Sequence, residues 1–465
     1  MKGFIETIKS IWSIKELRNK IYYTLILLAI YRLGTHIVLP GIDLASIKDI
    51  GKSAEGGLLG LFNMFAGGAF AQASIFGLGV MPYISASIAM QLLGFVIPSF
   101  KKLQMEGESG RRTINQYTRY LTILFTLFQG AGYITFLRGL GMQPAAGINT
   151  TFFTIMTMFV LTSGTLFVVW LGERITERGL GNGVSIIIMA GIIARLPVSF
   201  YNELQAKQVS TGGLVLILME LLLFVFVIMV TILVLQATRK VAVQYARRIV
   251  EGGGMSVIPG RRQSAPSSKD EASEVAGSVR QYLPLKLNTA GVMPIIFAQA
   301  VMFLPSLLGQ FKIIDPNSTL MINLTNPSGV VYNLVVFAMV VVMTFLYTAI
   351  VMSPSQMADD LKRNNGFIPG VKPGSETADY LDMIISRITL PGSIFLGLIA
   401  IFPFFVTLFL KVDQQWASFY GGTSLLIAIG VILDTIMQVD GHLAHKKYDG
   451  LTDYNKLQSR QFSEV

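Results

Sequence analysis

The chain contains no cysteine, which removes disulfides and thiolate metal sites from its chemistry. Histidine is nearly as scarce: His36, His442 and His445 are the three present. The last two lie near the C-terminus with no further ligand beside them and read as solvated tail residues rather than a metal site. Charged residues make up 14% of the chain against 52% hydrophobic, and the mean hydropathy is +0.58. That mixture excludes an ordinary soluble globular domain. The apolar segments hold no paired catalytic carboxylates, zinc motif or serine–lysine arrangement, so no reaction is expected of them. Gly51-Lys52-Ser53 ends like a phosphate-binding loop, but Ser46 stands where the first glycine belongs and no strand precedes it. Gly179-Leu180-Gly181-Asn182-Gly183 leads straight into an apolar run and reads as a tight loop, not a cofactor cradle. No cofactor is expected.

What the sequence has in abundance is apolar length. Runs of about 20 residues, the span of a bilayer-crossing helix, recur throughout. Ten spans are expected, near 21–39, 73–97, 118–138, 151–171, 183–198, 212–236, 290–310, 329–352, 388–410 and 423–440. Counting Arg119, Arg138 and Arg195 at the span ends with their nearest connections, Lys plus Arg number 5 in the N-terminal segment, then 2, 5, 1, 2, 2, 9, 1, 4 and 1 in successive connections and 4 in the tail. The alternation puts both termini on the cytoplasmic side by the positive-inside rule. Residues 1–20 read as a basic amphipathic surface helix with Ile5, Ile8 and Trp12 on one side, not as a cleavable leader.

Two features depart from plain spans. Residues 56–70 (GGLLGLFNMFAGGAF) are apolar but too short to cross, and fit either a re-entrant helix or a surface helix. The tetrapeptide Gly-Val-Met-Pro occurs at 79–82, opening the second span, and at 291–294, opening the seventh. One copy per five-span half points to two related halves, inverted because each has an odd number of spans. Residues 1–200 would form the first half and 201–465 the second, with large cytoplasmic loops at 237–287 and 353–387. Inside the spans only scattered ionisable residues appear, Arg32, Glu220 and Asp434, without close sequence partners.

Six blocks in order resemble the SecY family nearly end to end: FNMFAGGA with ASIFGLGVMPYISASI (62–88), EGESGRRTINQYTRY (106–120), WLGERITERGLGNGVSIII (170–188), LPLKLNTAGVMPIIFA (283–298), ADDLKRNNGFIPGVKPG (358–374) and YGGTSLLIAIGVILD (420–434). The resemblance implies an all-α membrane protein of ten helices in two inverted five-helix halves around an hourglass pore. It implies a pore ring of Val80, Ile84, Val184, Ile188, Ile296 and Ile427. Spacing supports part of this independently, since Val80 with Ile84 and Val184 with Ile188 are i,i+4 pairs on one helix face. The resemblance identifies segment 56–70 with a plug, including Leu58, Leu59, Leu61, Phe62, Asn63, Met64, Phe65, Gly67 and Gly68. It implies a lateral gate between spans 2 and 7, carrying Pro82 and Pro294, with Ser85, Gln129 and Gln299 as polar contacts along the seam. Hydrogen bonds that serve helix packing alone account for those three equally well.

The two cytoplasmic loops resemble surfaces that receive a ribosome and the SecA motor, through Arg239, Lys240, Arg247 and Arg248 and through Lys362, Arg363 and Lys372. Such clusters suit phosphates or acidic surfaces. Lys372 stands where the family usually has arginine, which keeps the charge but loses the bidentate fork. A Gly/Ser-rich insert at about 252–278 lengthens the first loop. The function implied is passage of unfolded secretory chains and lateral release of transmembrane segments, without catalysis, in a bacterial cytoplasmic membrane. The expected partners are SecE and SecG, SecA, the ribosome, signal-bearing preproteins, nascent membrane proteins and the surrounding lipid. The alternative is an ion-coupled secondary transporter, which inverted halves also fit, but which would call for more charge at mid-membrane.

Overall fold

The computed structural model describes residues 12–42, 63, 66–139, 149–208, 213–245, 280–288, 291–310 and 318–463. Each expected span overlaps a helix: α1 (Lys15–Gly34), α2 (Met81–Val96), α4 (Glu108–Gly139), α5 (Thr150–Arg178), α6 (Gly183–Gln208), α7 (Gly213–Gln236), α8 (Met293–Gln310), α10 (Val330–Val351), α12 (Ser375–Leu410) and α14 (Gly422–Ser463). Short helices α3 (Pro98–Met105), α9 (Thr319–Thr325), α11 (Pro354–Arg363) and α13 (Gln414–Ala417) lie between them. Among the described residues, α4, α5, α6, α7, α10 with its continuation, α12 and α14 are long and apolar enough to cross a membrane, and α2 with α3, bent by 105°, makes an eighth. α1 carries Arg18, Lys20 and Arg32, which dilute its apolar run.

Two of the shifted boundaries bear on the site. The second span does not begin at 73: residues 66–80 are turns, and the helix starts at Met81. Ala73 (φ 47°) and Gly79 (φ 53°) occupy the left-handed region and break any helix before it. The fifth span does not end at 198 but runs on through Pro197 to Gln208. Lys207, by its sequence position a loop charge, therefore belongs to the helix and is 7% exposed.

The chain packs as two compact units, one of residues 1–231, 292–340 and 397–465, the other of 232–291 and 341–396. The first holds a core that includes Tyr31, Leu161, Ile187, Trp416 and Tyr420. Hydroxyls buried in it are satisfied locally: Thr118, Thr122 and Thr126 donate to the carbonyls of Ile114, Thr118 and Thr122, one turn back on α4.

The second unit holds a small sheet that the expected helix-and-loop pattern omits: β1 (Thr238–Tyr245), β2 (Arg280–Lys286) and β3 (Gly366–Phe367), antiparallel in the order β2-β1-β3. Pro284, opposite Lys240, lies on the edge strand β2, where a missing N–H is tolerated. Val241, Val243 and Leu285 pack with Leu361, Ile368, Leu381 and Ile384 in a core of this unit's own.

Candidate pore site

The site begins with two helix starts of the same construction. Gly79 (φ 53°) and Gly291 (φ 64°) adopt a conformation that side chains resist. Met81 and Met293 are the first helical residues, and Pro82 and Pro294 follow, where no N–H is needed. The next bond is shared too: Ile84 N–H donates to Val80 O at 3.1 Å and Ile296 N–H to Val292 O at 3.4 Å. Ile84 and Ile296 thus occupy the same register, five residues after the glycine.

All six ring candidates belong to the core of the first unit. Val80 and Ile427 are 3% exposed and Ile188 5%, while Ile84, Val184 and Ile296 are partly buried against the same cluster. Five of them lie on α2, α6, α8 and α14, and Val80 is the N-cap of α2; α14 packs against both α6 and α8. The loop that launches α6 is pinned by two other helices, α1 and α14. Leu180 N–H donates to Thr24 Oγ1 (3.1 Å) and Gly181 N–H to Gln438 Oε1 (2.9 Å). A Cβ on Gly183 would lie 1.9 Å from Gly172 O, so only glycine lets α6 start this close to α5. Gly179–Gly183 is a tight loop, as its composition indicates.

Of the plug segment, Asn63 and residues 66–70 are described; Leu58, Leu59, Leu61, Phe62, Met64 and Phe65 lie outside the described residues. Asn63 is fully buried. Its carbonyl accepts from Gly68 N–H (2.8 Å) and its Oδ1 from Ala71 N–H (3.0 Å). Ala66, Ala69 and Phe70 share the core cluster with the ring candidates. Carbonyls along this stretch are held from three directions: Ala66 O by Tyr31 (3.4 Å), Gly67 O by Arg32 (2.7 Å) and Phe70 O by Tyr133 (2.7 Å).

The polar gate candidates divide into two pairs. Gln129 Nε2 on α4 donates to Ser85 Oγ on α2 at 3.2 Å. Gln299 Oε1 on α8 accepts from Thr423 on α14 at 3.0 Å. Neither bond joins α2 to α8.

The ionisable residues of the spans are not as isolated as their sequence spacing implies. Arg32 has Gly67 O. Glu220, 1% exposed, is paired with Lys207, which also lies 3.1 Å from Glu203. Glu203 in turn accepts from Asp413 N–H at 3.0 Å. A pair buried this deeply costs desolvation that the partner charge and further hydrogen bonds offset. The i,i+4 spacing of Glu203 and Lys207 was the available signal, but a helix end placed at 198 hides it. Asp434, in contrast, is exposed. His442 Nε2 accepts from Lys20 at 3.3 Å, an exposed contact between α14 and α1.

In the second unit Arg239 and Lys240 are exposed on β1, Lys362 and Arg363 end α11, and Lys372 is exposed 3.5 Å from Glu376. Arg247, Arg248 and the insert at 252–278 lie outside the described residues.

A sequence profile of the SecY family matches residues 74–436. The protein translocase subunit SecY of Aquifex aeolicus is 38% identical over 453 residues, covering 95% of this chain and 98% of that one. Its counterpart in Thermotoga maritima is 37% identical, covering 98% and 100%. Among solved structures, a protein-conducting channel superposes with a TM-score of 0.62 at 16% identity, covering 91% of each chain. Sec61 in the canine ribosome–channel complex reaches 0.59 at 16% identity and the same coverage. A third, of a SecY protein whose plug domain stabilises the closed channel, reaches 0.60 at 16% identity, covering 91% of each chain. This chain, a multi-helix membrane protein with the fold of those channels, belongs to the SecY family.

Proposed function

We infer that this chain is the pore-forming subunit of a protein translocase, passing unfolded polypeptides across a membrane and releasing apolar segments sideways into it. The observation that carries the reading is that six branched aliphatic residues, brought in by four helix segments, all belong to one apolar core. Such a ring disfavours a continuous water column and offers a passing backbone no hydrogen bond to rest on. It narrows the path without binding what passes. A small-solute transporter needs the reverse, polar groups that hold its substrate.

A lateral gate between α2 and α8 sorts segments by their cost in lipid. A leucine-rich stretch gains by leaving, whereas a central Lys or Asp costs ~3 kcal/mol. Val80, Ile84, Val184, Ile188, Ile296 and Ile427 are the ring, and segment 56–70 is the plug beneath it, on the precedent of the related SecY plug. Residues 1–200 and 201–465 are the two halves, ten spans in all, with both termini in the cytoplasm of a bacterium.

The basic residues Arg239, Lys240, Arg247, Arg248, Lys362, Arg363 and Lys372 receive the ribosome or the SecA motor, in keeping with the ribosome-bound relative. SecE and SecG complete the complex. The energy for transport comes from those partners, not from catalysis by this chain.

The native absence of cysteine makes a direct test simple. A single cysteine at Ile188 and another in a stalled secretory chain should form a disulfide only when the chain carries its signal sequence. Cross-links confined to control cysteines in the loops would remove the ring from the path. Independently, Ile188→Asn should raise the resting ion conductance of the reconstituted complex by about tenfold or more, because one polar side chain lets water bridge the ring.

A further inference from the structure

Arg32 is the one charged side chain of α1 that lies within its apolar stretch, and retention of a charge there is costly unless it has a partner. Its partner is the carbonyl of Gly67, 2.7 Å from Nη1. We propose that Arg32 is a positioning residue for the closed channel, a latch that fixes the stem of the plug through that carbonyl. The proposal rests on the pore-and-plug reading above and adds to it the group that registers the plug.

Four observations converge on this. Gly67 (φ 63°) and Gly68 (φ 94°) both sit in the left-handed region, so the turn is one that the chain adopts readily only with glycine. A Cβ on Gly67 would lie 2.9 Å from the backbone of Gly191 and 3.2 Å from the Arg32 guanidinium, so α6 and Arg32 close around it. The flanking carbonyls of Ala66 and Phe70 are held by the hydroxyls of Tyr31 and Tyr133. Asn63, just before, folds back onto Gly68 N–H and Ala71 N–H while its buried Nδ2 finds no acceptor among the described residues.

The stem at 66–71 is therefore held by hydrogen bonds from α1 and α4 and lies close against α6, and the bond from Arg32 is charge-assisted. The bond is partly buried, so water competes for it less than at an open surface. Loss of the Arg32 contact should shift the resting population toward states in which the stem is released. The tyrosine bonds, neutral and individually weaker, should matter less. Arg32 thus acts through Gly67 rather than by touching the translocating chain.

The test compares four complexes, reconstituted with their partner subunits in planar bilayers: the parent, Arg32→Met, Arg32→Lys, and a form lacking residues 57–62, which keeps Asn63 and the stem it holds. Arg32→Met should raise the resting open probability by roughly tenfold, and Arg32→Lys should recover most of the seal because it keeps a charged donor. Combining Arg32→Met with the deletion should add no leak beyond the deletion alone, since both act on one element. If the deletion leaks and Arg32→Met does not, the latch is overturned while the plug reading stands. If the deletion itself fails to leak, the plug reading falls. Additive leaks from the two changes would mean that Arg32 supports the helix packing generally, which also overturns the proposal.

Discussion

Around Gly79 the first copy of the Gly-Val-Met-Pro repeat is crowded: an added Cβ would meet the backbone of Ala66 at 3.3 Å, and Val80 beside it is 3% exposed. Around Gly291 the second copy is open, with nothing within 4 Å of an added Cβ, and Met293 is 38% exposed. Four identical residues produce one local structure, a left-handed glycine followed by a helix with proline in its first turn. What differs is the neighbour. The first copy lies close against Ala66, in the segment proposed as the plug, and the second has no equivalent among the described residues. Of the two helices proposed to form the gate, α2 starts close against Ala66 and is bonded through Ser85 to α4, whereas α8 is bonded through Gln299 to α14.

The comparison can be broken most decisively at the ring. Ile84 and Ile296 hold the same register in the two copies, so Ile84→Asn and Ile296→Asn should each raise resting conductance by about tenfold or more. A leak from only one of them in bilayer recordings would show that the shared register does not carry to a shared place in the pore.

A smaller effect is expected at the glycines. Gly79→Ala and Gly291→Ala each force a left-handed conformation on an L-residue, costing about 1–2 kcal/mol. Gly79→Ala should cost more, because its new methyl also presses on Ala66. Thermal unfolding of the detergent-purified complex should therefore show the larger fall in Tm for Gly79→Ala, and equal falls would mean that the crowding relaxes freely.

The smallest effect belongs to the polar pairs. Gln129→Ala and Gln299→Ala each remove one interhelical bond, worth about 0.6 kcal/mol. Release of Ser85 on α2 and of Thr423 on α14 should alter the export of preproteins with weakened signal sequences by a few-fold at most. An identical response to both changes would argue that the two bonds serve packing alone.

Most of the helical framework was legible from apolar length, because a bilayer leaves a spanning chain no other way to satisfy its backbone. The repeat was legible for a similarly local reason: glycine permits the left-handed turn, and proline fits the first turn of the helix that follows. The sheet was harder to read. Val241 and Val243 on β1, and Leu283 and Leu285 on β2, alternate as strand residues should, but the signal is short and lies in a region dominated by charge and a Gly/Ser-rich insert. The second span was drawn too early because residues 73–80 are apolar; hydropathy reports the preference for burial and is blind to the positive φ of Ala73.

The ring candidates lie on the borderline. Spacing alone paired Val80 with Ile84 and Val184 with Ile188. Placing both pairs in one cluster with Ile296 and Ile427 required helices from both ends of the chain to pack.

By itself the sequence determined that this is a polytopic membrane protein, where its helices run, where the repeat begins two of them, and which family it belongs to. These follow from local composition acting against a uniform solvent. Tertiary structure alone decided what each charge in the spans does. Arg32, Glu220 and Asp434 look alike in sequence, yet the first holds a carbonyl 35 residues away, the second joins a buried charge cluster and the third faces outward. The physical reason is that the cost of a charge depends on the partner brought to it, and that partner comes from wherever the chain folds back.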